Sequence, residues 1–199
     1  MNVYGQIITG ADVREAVEAT LRAWMPAYLG EIAAVRGKSR GDLPTFRSYQ
    51  SATSVDSWPE DQLPACIIVA PGLAGPPEKH GSEYTATWSV GVATVNSAST
   101  REATTELVEL YTAAIRSAVM QHPSLGDFAS GLEWIDESYD ELGFEESRTI
   151  AAGQVILGVQ VDGVLDSSQG TKTPPVNPNV TPDTWPTVES TSVSSQGAP

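Results

Sequence analysis

The chain has 199 residues, the size of one domain or of one domain with an appendage. Its formal net charge of −14 is large for this length, and such a surface repels nucleic acid and anionic membranes. No run of residues approaches the roughly 20 apolar positions needed to span a bilayer, and the N-terminus lacks the pattern of a secretory signal. We therefore expect a protein that is made and kept in a cytoplasm.

A helix is predicted near the N-terminus. Thr9 is a suitable N-cap for a helix that begins near Gly10, with Asp12 favourably placed in the first turn. Proline lacks a backbone N–H, so Pro26 is expected to end or kink this helix. Residues 27–35 can then continue as a second short helix.

The second helical segment leads into a basic loop, residues 36–42. The loop contains two glycines and three basic residues, Arg36, Lys38 and Arg40. A solvated loop is the simpler interpretation. The more specific interpretation is that the loop contacts an acidic partner surface. Isolated exposed ion pairs within one molecule contribute little to its stability, so stabilisation of the fold is a weak reason for these charges.

Three later segments have strand patterns. Residues 65–70 (ACIIVA) are an uninterrupted apolar run, which is typical of a strand covered on both faces. Cys66, the only cysteine, lies in this run and is expected to be a buried hydrophobic residue. Residues 83–95 and 148–164 alternate with a period of two, which predicts strands with one face on a core.

A long helix is predicted between the two alternating strands, over about residues 100–121. Ser99 and Glu102 are spaced as a capping box, and apolar residues follow at helical spacing. The helix is expected to end at His122, because the residue before a proline is disfavoured in the helical region.

An acidic stretch separates this helix from the final strand. Residues 131–135 can form a short strand, and a loosely structured polar excursion is expected to follow. Residues 133–146 contain seven carboxylates and no basic residue. Glycosidases use paired carboxylates held in a cleft at a defined separation, whereas these are clustered in one polar segment. A solvated acidic surface is therefore favoured over a catalytic role.

Motifs for catalysis are missing from the sequence. There is no GxGxxG or Walker phosphate loop, no metal-spaced His/Cys cluster and no GxSxG elbow. Cys66 with His80 or His122 could in principle form a thiol hydrolase pair. A cysteine in the middle of an apolar strand is badly placed for that chemistry. We expect no enzyme activity, no cofactor and no metal site.

The composition changes at residue 166. Residues 166–199 contain six Pro, six Ser and six Thr, a mixture that cannot bury enough apolar surface to fold alone. The sequence therefore predicts a domain over residues 1–165 and an extended tail over residues 166–199 that is ordered only on a partner. Trp185 is one of the expected anchors of this tail.

Three segments carry a family resemblance: LPACIIVAPG; EYTATWSVGVATVN followed at once by STREATTELVELYTAAIRSAV; and RTIAAGQVILGVQV. Their order, after an N-terminal helix, resembles the tail terminator (tail completion) proteins of long-tailed, non-contractile phages. The resemblance covers about residues 10–165, and the tail is not part of the pattern.

This resemblance implies an α+β fold with a mixed or mainly antiparallel sheet packed against helices. It also implies a homo-hexameric ring in the virion, at the tail and neck, that is assembled in the host cytoplasm. The implied partners are the major tail tube protein and a head-side neck or stopper protein, and viral DNA passes through the channel without specific binding. The family has no catalytic residue and no cofactor.

A ring requires head-to-tail contacts between two different patches of each subunit. We hypothesise that a basic and an acidic set lie on opposing sides of the subunit–subunit or ring–tube interface. The two sets are Arg36, Lys38 and Arg40, and Asp136, Glu137, Asp140 and Glu141. Surplus negative charge is further expected to line the channel, where it would repel DNA. Two alternatives stay open: another neck-ring protein of the same particle, and a non-viral acidic adaptor domain.

Overall fold

The structure, a computed structural model, describes residues 8–51, 60–145 and 148–166. The elements in chain order are α1 (Gly10–Val35), β1 (Ser48–Gln50), a 3₁₀ turn (Glu60–Gln62), β2 (Ala65–Leu73), β3 (Glu78–His80), β4 (Glu83–Ala98), α2 (Arg101–Met120), β5 (Gly131–Glu145) and β6 (Arg148–Asp166).

The strands form one mixed sheet in the order β1-β2-β4-β6-β5, with β3 paired to one end of β4. The β1–β2 pair is parallel and the other pairs are antiparallel. The helices pack against each other and against the sheet, α1 mainly on β2 and α2 on β4, β5 and β6. The predicted α+β fold with a mixed, mainly antiparallel sheet is confirmed. Of the predicted tail, residues 166–199, Asp166 belongs to β6 and residues 167–199 lie outside the described residues.

The core lies between the two helices and one face of the sheet. The apolar faces predicted for the long strands form this face, because Val90 and Val92 of β4 and Val155, Leu157 and Val159 of β6 are 0% exposed. Burying such a side chain contributes about 1.5–3 kcal/mol. Cys66 on β2 is also fully buried in this core, as predicted.

α2 approaches β6 closely where a small residue permits it. Gly153 on β6 shows this best, because a Cβ added there would lie 2.2 Å from Thr112 Oγ1 and 2.8 Å from Val108 Cγ1 of α2. Such distances are far inside van der Waals contact, so the absence of a side chain at residue 153 sets how closely α2 sits on the sheet.

The N-cap predicted for α1 is confirmed. The Thr9 side chain accepts a hydrogen bond from the backbone N–H of Asp12 at 3.4 Å, and the Asp12 carboxylate accepts one from the Thr9 N–H at 2.7 Å. The cap predicted for α2 is wrong by one residue. Thr100, not Ser99, caps α2, because its Oγ1 accepts from Ala103 N at 3.2 Å and its carbonyl accepts from Thr104 N at 3.0 Å.

Pro26 does not end the helix, because α1 continues across it to Val35. An internal proline costs a helix about 3 kcal/mol through the missing hydrogen bond and the ring clash. On either side of it, Met25 and Leu29 are 0% and 1% exposed, and burial of two such side chains offsets that cost. Trp24, just before the proline, is 43% exposed.

The loosely structured acidic excursion predicted after α2 is in fact β5, a 15-residue strand. It pairs with β6 from Gly131↔Gln160 to Glu145↔Arg148, so its backbone is hydrogen-bonded along one side. Register shifts at Trp134/Asp136 and Glu141/Gly143 interrupt its side-chain alternation. Because of these bulges, the sequence of β5 lacks the apolar–polar alternation from which the other long strands were predicted.

Candidate interaction surfaces

β5 forms one edge of the sheet and carries an unusual set of side chains. Its sequence has six carboxylates and no basic residue, and Glu133, Asp136 and Asp140 are exposed. Seven large hydrophobic side chains are exposed among the described residues. Three of these lie on β5: Trp134 (46%), Ile135 (51%) and Tyr139 (48%). We call this surface the acidic edge strand, and its mixture of carboxylates and large apolar side chains is typical of a contact surface.

An ion pair with α2 holds part of the acidic edge strand in place. Arg116 Nη1 donates to Glu137 Oε2 at 2.6 Å, and the Arg116 guanidinium lies 4.9 Å from the centroid of the Trp134 ring. The Tyr139 hydroxyl donates to the other oxygen of Glu137. Desolvation, followed by this hydrogen bond and the Glu137 charge, raises the pKa of Tyr139 to about 12. Glu137 therefore has its partners within the molecule, while the aromatic rings that it helps to position stay exposed.

The basic loop is folded against its own molecule at one position. Lys38 Nζ lies 2.9 Å from Glu106 Oε2 of α2, so this predicted cation already has a partner. Asp42 fixes the turn by accepting from Ser39 N at 2.7 Å and from Ser39 Oγ at 2.9 Å. The backbone N–H of Ser39 is the largest cause that lowers the pKa of Asp42.

Arg36 and Arg40 are the two exposed cations of the loop. Neither forms an ion pair with any residue that the structure describes. Arg40 lies along α1, since a Cβ added at Gly30 would be 3.4 Å from both Nε and Nη2 of Arg40. Both guanidinium groups are therefore free to meet carboxylates of a partner.

The acidic and basic sets are not brought together within one molecule. Lys38 contacts α2 at Glu106, whereas Tyr139 and Asp140 line a pocket with Arg101 and Thr105 of the same helix. In the described ranges, no ion pair or hydrogen bond joins Arg36, Lys38 or Arg40 to β5. Glu141 belongs to β5, and Trp185 lies outside the described residues.

A groove of about 310 Å³ lies between α1 and α2. Its apolar lining comes mainly from Ile32, Val35, Leu110 and Ala113, and Val35 is 79% exposed. Tyr28, Glu31, Arg36, Ser117 and Gln121 complete the lining. We call this surface the helix groove. Its apolar floor lies next to Arg36, one of the two cations of the basic loop that have no ion-pair partner among the described residues.

Several of these residues were missed at the sequence level. Arg116 is the only basic residue in the second half of α2, and an acidic segment close by in the chain could have suggested its role. Trp134 and Ile135 were assigned to a short strand without a partner role. Nothing in the sequence marked Val35 as exposed, because a helical pattern gives no sign of which apolar residue lies at a free helix end.

The groups considered for thiol hydrolase chemistry do not form a site. Cys66 is 0% exposed, and burial raises the pKa of its thiol. His122 instead stacks on Trp24 with ring centroids 3.8 Å apart, and His80 lies 3.6 Å from Glu78. Across the described part of the chain, no group of three or more His, Cys, Asp or Glu side chains could hold a metal ion. Within the same ranges, no helix is long and apolar enough to cross a membrane.

Comparison of the sequence with protein-family models and with characterised proteins gives no match. Among solved structures, a chain from the virion of a native gene transfer agent particle matches at 14% sequence identity and a TM-score of 0.41. The match covers 76% of this chain and 95% of that chain. A similarity of this size carries no conclusion about family or function.

Proposed function

We propose that this chain is a non-enzymatic assembly protein of a phage-like virion. In this proposal it forms a homo-hexameric ring that caps the tail tube, ends tube polymerisation and joins the tube to the head-side neck. The three segments that resemble tail terminator proteins support it, since they fall on β2, on β4 with α2, and on β6, all of which contribute to the core.

The observation that carries the proposal is the separation of charge in the folded unit. The acidic edge strand lies at one edge of the sheet, the basic loop follows α1 and contacts α2 through Lys38, and in the described ranges no ion pair joins the two sets. Two different patches of opposite charge on one subunit favour head-to-tail contacts, which close into a ring when the rotation between subunits allows it.

The net charge of −14 supports a second part of the proposal. In a ring, carboxylates that do not contact a neighbour face solvent or the channel. A negative channel repels DNA phosphates, so viral DNA passes without specific binding. Measurement of DNA binding at low salt tests this part, because a channel that retains DNA would show saturable, salt-sensitive binding.

Electron microscopy of tails assembled with and without this protein tests the whole proposal. Tubes made in its absence are expected to be ragged or uncontrolled in length, and tubes made in its presence uniform and joined to heads. If tails made without the protein are uniform in length but fail to join heads, the result would favour another neck-ring protein instead. Normal, infectious particles in its absence would reject a virion role and leave the adaptor alternative.

A further inference from the structure

We propose that residues 167–199 of the tail pack on the outer face of the sheet of their own chain. The outer face is the face of the sheet that points away from α1 and α2. The contact does not depend on the proposed function, because it lies within one chain and needs no other virion protein.

The outer face carries a continuous set of aliphatic side chains. Val90 and Val92 of β4 are buried against the helices, so Gly91 between them faces outward. A Cβ added at Gly91 would be 3.1 Å from Val69 Cγ2, which places Val69 on the same face. The register of the strands brings the outward-facing aliphatic residues into neighbouring rows: Ile67, Val69, Ala93, Val95, Ile150, Ala152 and Ile156.

Only one end of the outer face is covered by residues that the structure describes. There, Leu63 packs in a small cluster with Val95, which is 1% exposed. Farther along, Val69 and Ile156 are only partly buried, and both helices lie on the other side of the sheet. An open face of an antiparallel sheet normally presents polar side chains. Aliphatic rows on such a face therefore indicate that another segment covers them.

The tail starts at the border of this face and is long enough to cross it. β6 lies inside the sheet and ends at Asp166, which pairs with Glu83. Ile156 pairs with Gly91, eight residues farther along β4, and this span is about 26 Å at the rise of a strand. If the first four residues after Asp166 reverse the chain, an extended path of about 3.1 Å per residue brings Val180 next to Ile156.

A second apolar side chain of the tail meets an apolar partner on the same path. Val176 comes four residues before Val180, about 12 Å nearer the end of β6. It is thus expected beside Ile135, whose side chain is 51% exposed. Ile135 leans over the outer face, because a Cβ added at Gly158 would be 3.5 Å from its Cδ1. Two valines of the tail therefore have aliphatic partners in one extended conformation.

Charge complementarity favours the same path. Lys172 is the only cation of residues 167–199, and on this path it comes beside Asp162 near the end of β6. The Asp162 side chain is on the outer face and exposed, and Thr85 Oγ1 donates to one of its oxygens at 2.7 Å. The other carboxylate oxygen can accept from a lysine.

The composition of the tail and its covalent link select its own sheet face as the docking surface. Six prolines lack the backbone N–H that pairing at a sheet edge requires, and they favour an extended path that lies on side chains. A linked segment has an effective concentration on the order of millimolar. In dilute solution the tail therefore meets its own chain far more often than a second copy.

Limited proteolysis of the full chain with trypsin tests whether the tail is docked. Lys172 provides the single tryptic site in residues 167–199. We expect cleavage after Lys172 to be at least about tenfold slower in the parent than in a Val180→Asp variant, because a carboxylate disfavours an apolar surface. Val180 lies eight residues beyond the cleaved bond, so its substitution acts through docking. Ser194→Asp adds the same charge to the tail and should leave the parent rate unchanged.

Cross-linking within the full chain identifies the surface. A Val180→Cys, Ile156→Cys variant is treated with a short bismaleimide, with Cys66 protected by its burial. The control variant joins Val180→Cys to Glu109→Cys, an exposed position of α2 on the opposite side of the sheet. We expect the intramolecular product with Ile156→Cys to exceed that of the control at least about fivefold.

Three results would overturn the inference. These are equal rates of cleavage after Lys172 in the parent and in Val180→Asp, equal cross-linking to the two sides of the sheet, or cross-links that form only between chains of different mass in a mixture. The last result would assign the tail to a second copy. A protected Lys172 together with normal phage tails in the absence of the protein would keep the contact and reject the tail-capping function. Phage tails that depend on the protein while Lys172 is cleaved freely would do the reverse.

Discussion

Among the described glycines, Gly153 is the one at which an added Cβ would come closest to a neighbouring atom. Gly153→Ala would place a Cβ 2.2 Å from Thr112 Oγ1, so α2 must move away from β6. Overpacking in a well-packed interior typically costs about 1–3 kcal/mol, and a clash with two side chains places this site at or above the upper end. We expect the free energy of unfolding in urea to fall accordingly, with little change in the slope of the transition.

Gly75→Ala is the matched control for this change. Gly75 has nothing within 4 Å of an added Cβ and no left-handed backbone angle. We expect a change of less than about 0.5 kcal/mol there, as for other surface positions. Equal effects of the two substitutions would show that the Gly153 contact does not limit packing.

Cys66, the buried Tyr111 and the partly buried Tyr49 give the fold a predictable response to alkaline pH. Burial raises the pKa of the Cys66 thiol above its ordinary value of 9.0, and it raises the pKa of Tyr49 and Tyr111 above 10.0. In the unfolded chain these groups lose their protons near the ordinary values. Above about pH 9 the unfolded state therefore binds fewer protons than the native state, and stability falls as pH rises.

Urea unfolding at about pH 8, 9.5 and 11 measures this effect. At pH 8 these groups should not affect stability. Above pH 9 the free energy of unfolding should decline by up to about 1.4 kcal/mol per pH unit for each group that has lost its proton in the unfolded chain and keeps it in the native state. A Cys66→Ala variant, although less stable overall, should decline less steeply between pH 9 and 10. If the stability of this variant depends on pH in the same way as that of the parent, Cys66 does not contribute to the loss of stability at alkaline pH.

At the scale of the elements, the sequence predicted those whose side chains follow one period without interruption. β4, α2 and β6 were placed correctly because Val90, Val155 and their neighbours repeat at strand or helix spacing toward one core. β5 was not, because its bulges break the alternation and because an ion pair takes the place of apolar burial at Glu137. α1 was expected to end or kink at Pro26, because its propensity was weighed without the tertiary packing of Met25 and Leu29, and the helix continues instead.

The two ion pairs that join α2 to its neighbours should differ in strength. Arg116–Glu137 connects α2 to β5 with side-chain exposures of 33% and 11%, whereas Lys38–Glu106 has 27% and 49%. Arg116→Met leaves the shielded Glu137 carboxylate without its cation, and we expect a loss of about 1–3 kcal/mol. Lys38→Met should cost no more than about 1 kcal/mol, since the Glu106 carboxylate stays hydrated.

A double-mutant cycle with Glu137→Gln isolates the first of these pairs in urea unfolding experiments. The coupling free energy between Arg116 and Glu137 should exceed that between Lys38 and Glu106. Similar coupling in the two cycles would mean that burial of Glu137 does not strengthen its ion pair.

At the scale of the whole molecule, the sequence predicted two oppositely charged sets of residues, but not which of those residues have an ion-pair partner within the chain. The structure leaves Arg36 and Arg40 unpaired within the described ranges and engages Lys38 through Glu106. It likewise engages Glu137 through Arg116. Composition and spacing cannot distinguish a charge with an internal partner from one without, since that depends on where α2 packs.

Reversal of the two unpaired cations tests their role in assembly. Arg36→Glu with Arg40→Glu should lower self-association at least about tenfold, because both cations would then repel the acidic edge strand. Light scattering and native mass spectrometry measure the assembly. Arg14→Glu with Lys79→Glu gives the same change in net charge away from the loop, and its assembly should be closer to that of the parent. Equal losses in both variants would point to net charge alone.

The position of β6 in the sheet has a consequence for the order of events during synthesis. β6 is the last described strand of the chain, yet it lies between β4 and β5. At about 5–20 residues per second, several seconds separate the synthesis of β4 from that of β6. During that interval the apolar faces of β4 and α2 have no strand to complete their core, and the acidic edge strand has nothing to pair with. The nascent chain must therefore wait for nearly its whole domain before it can fold, and a chain released early is a substrate for chaperones and proteases.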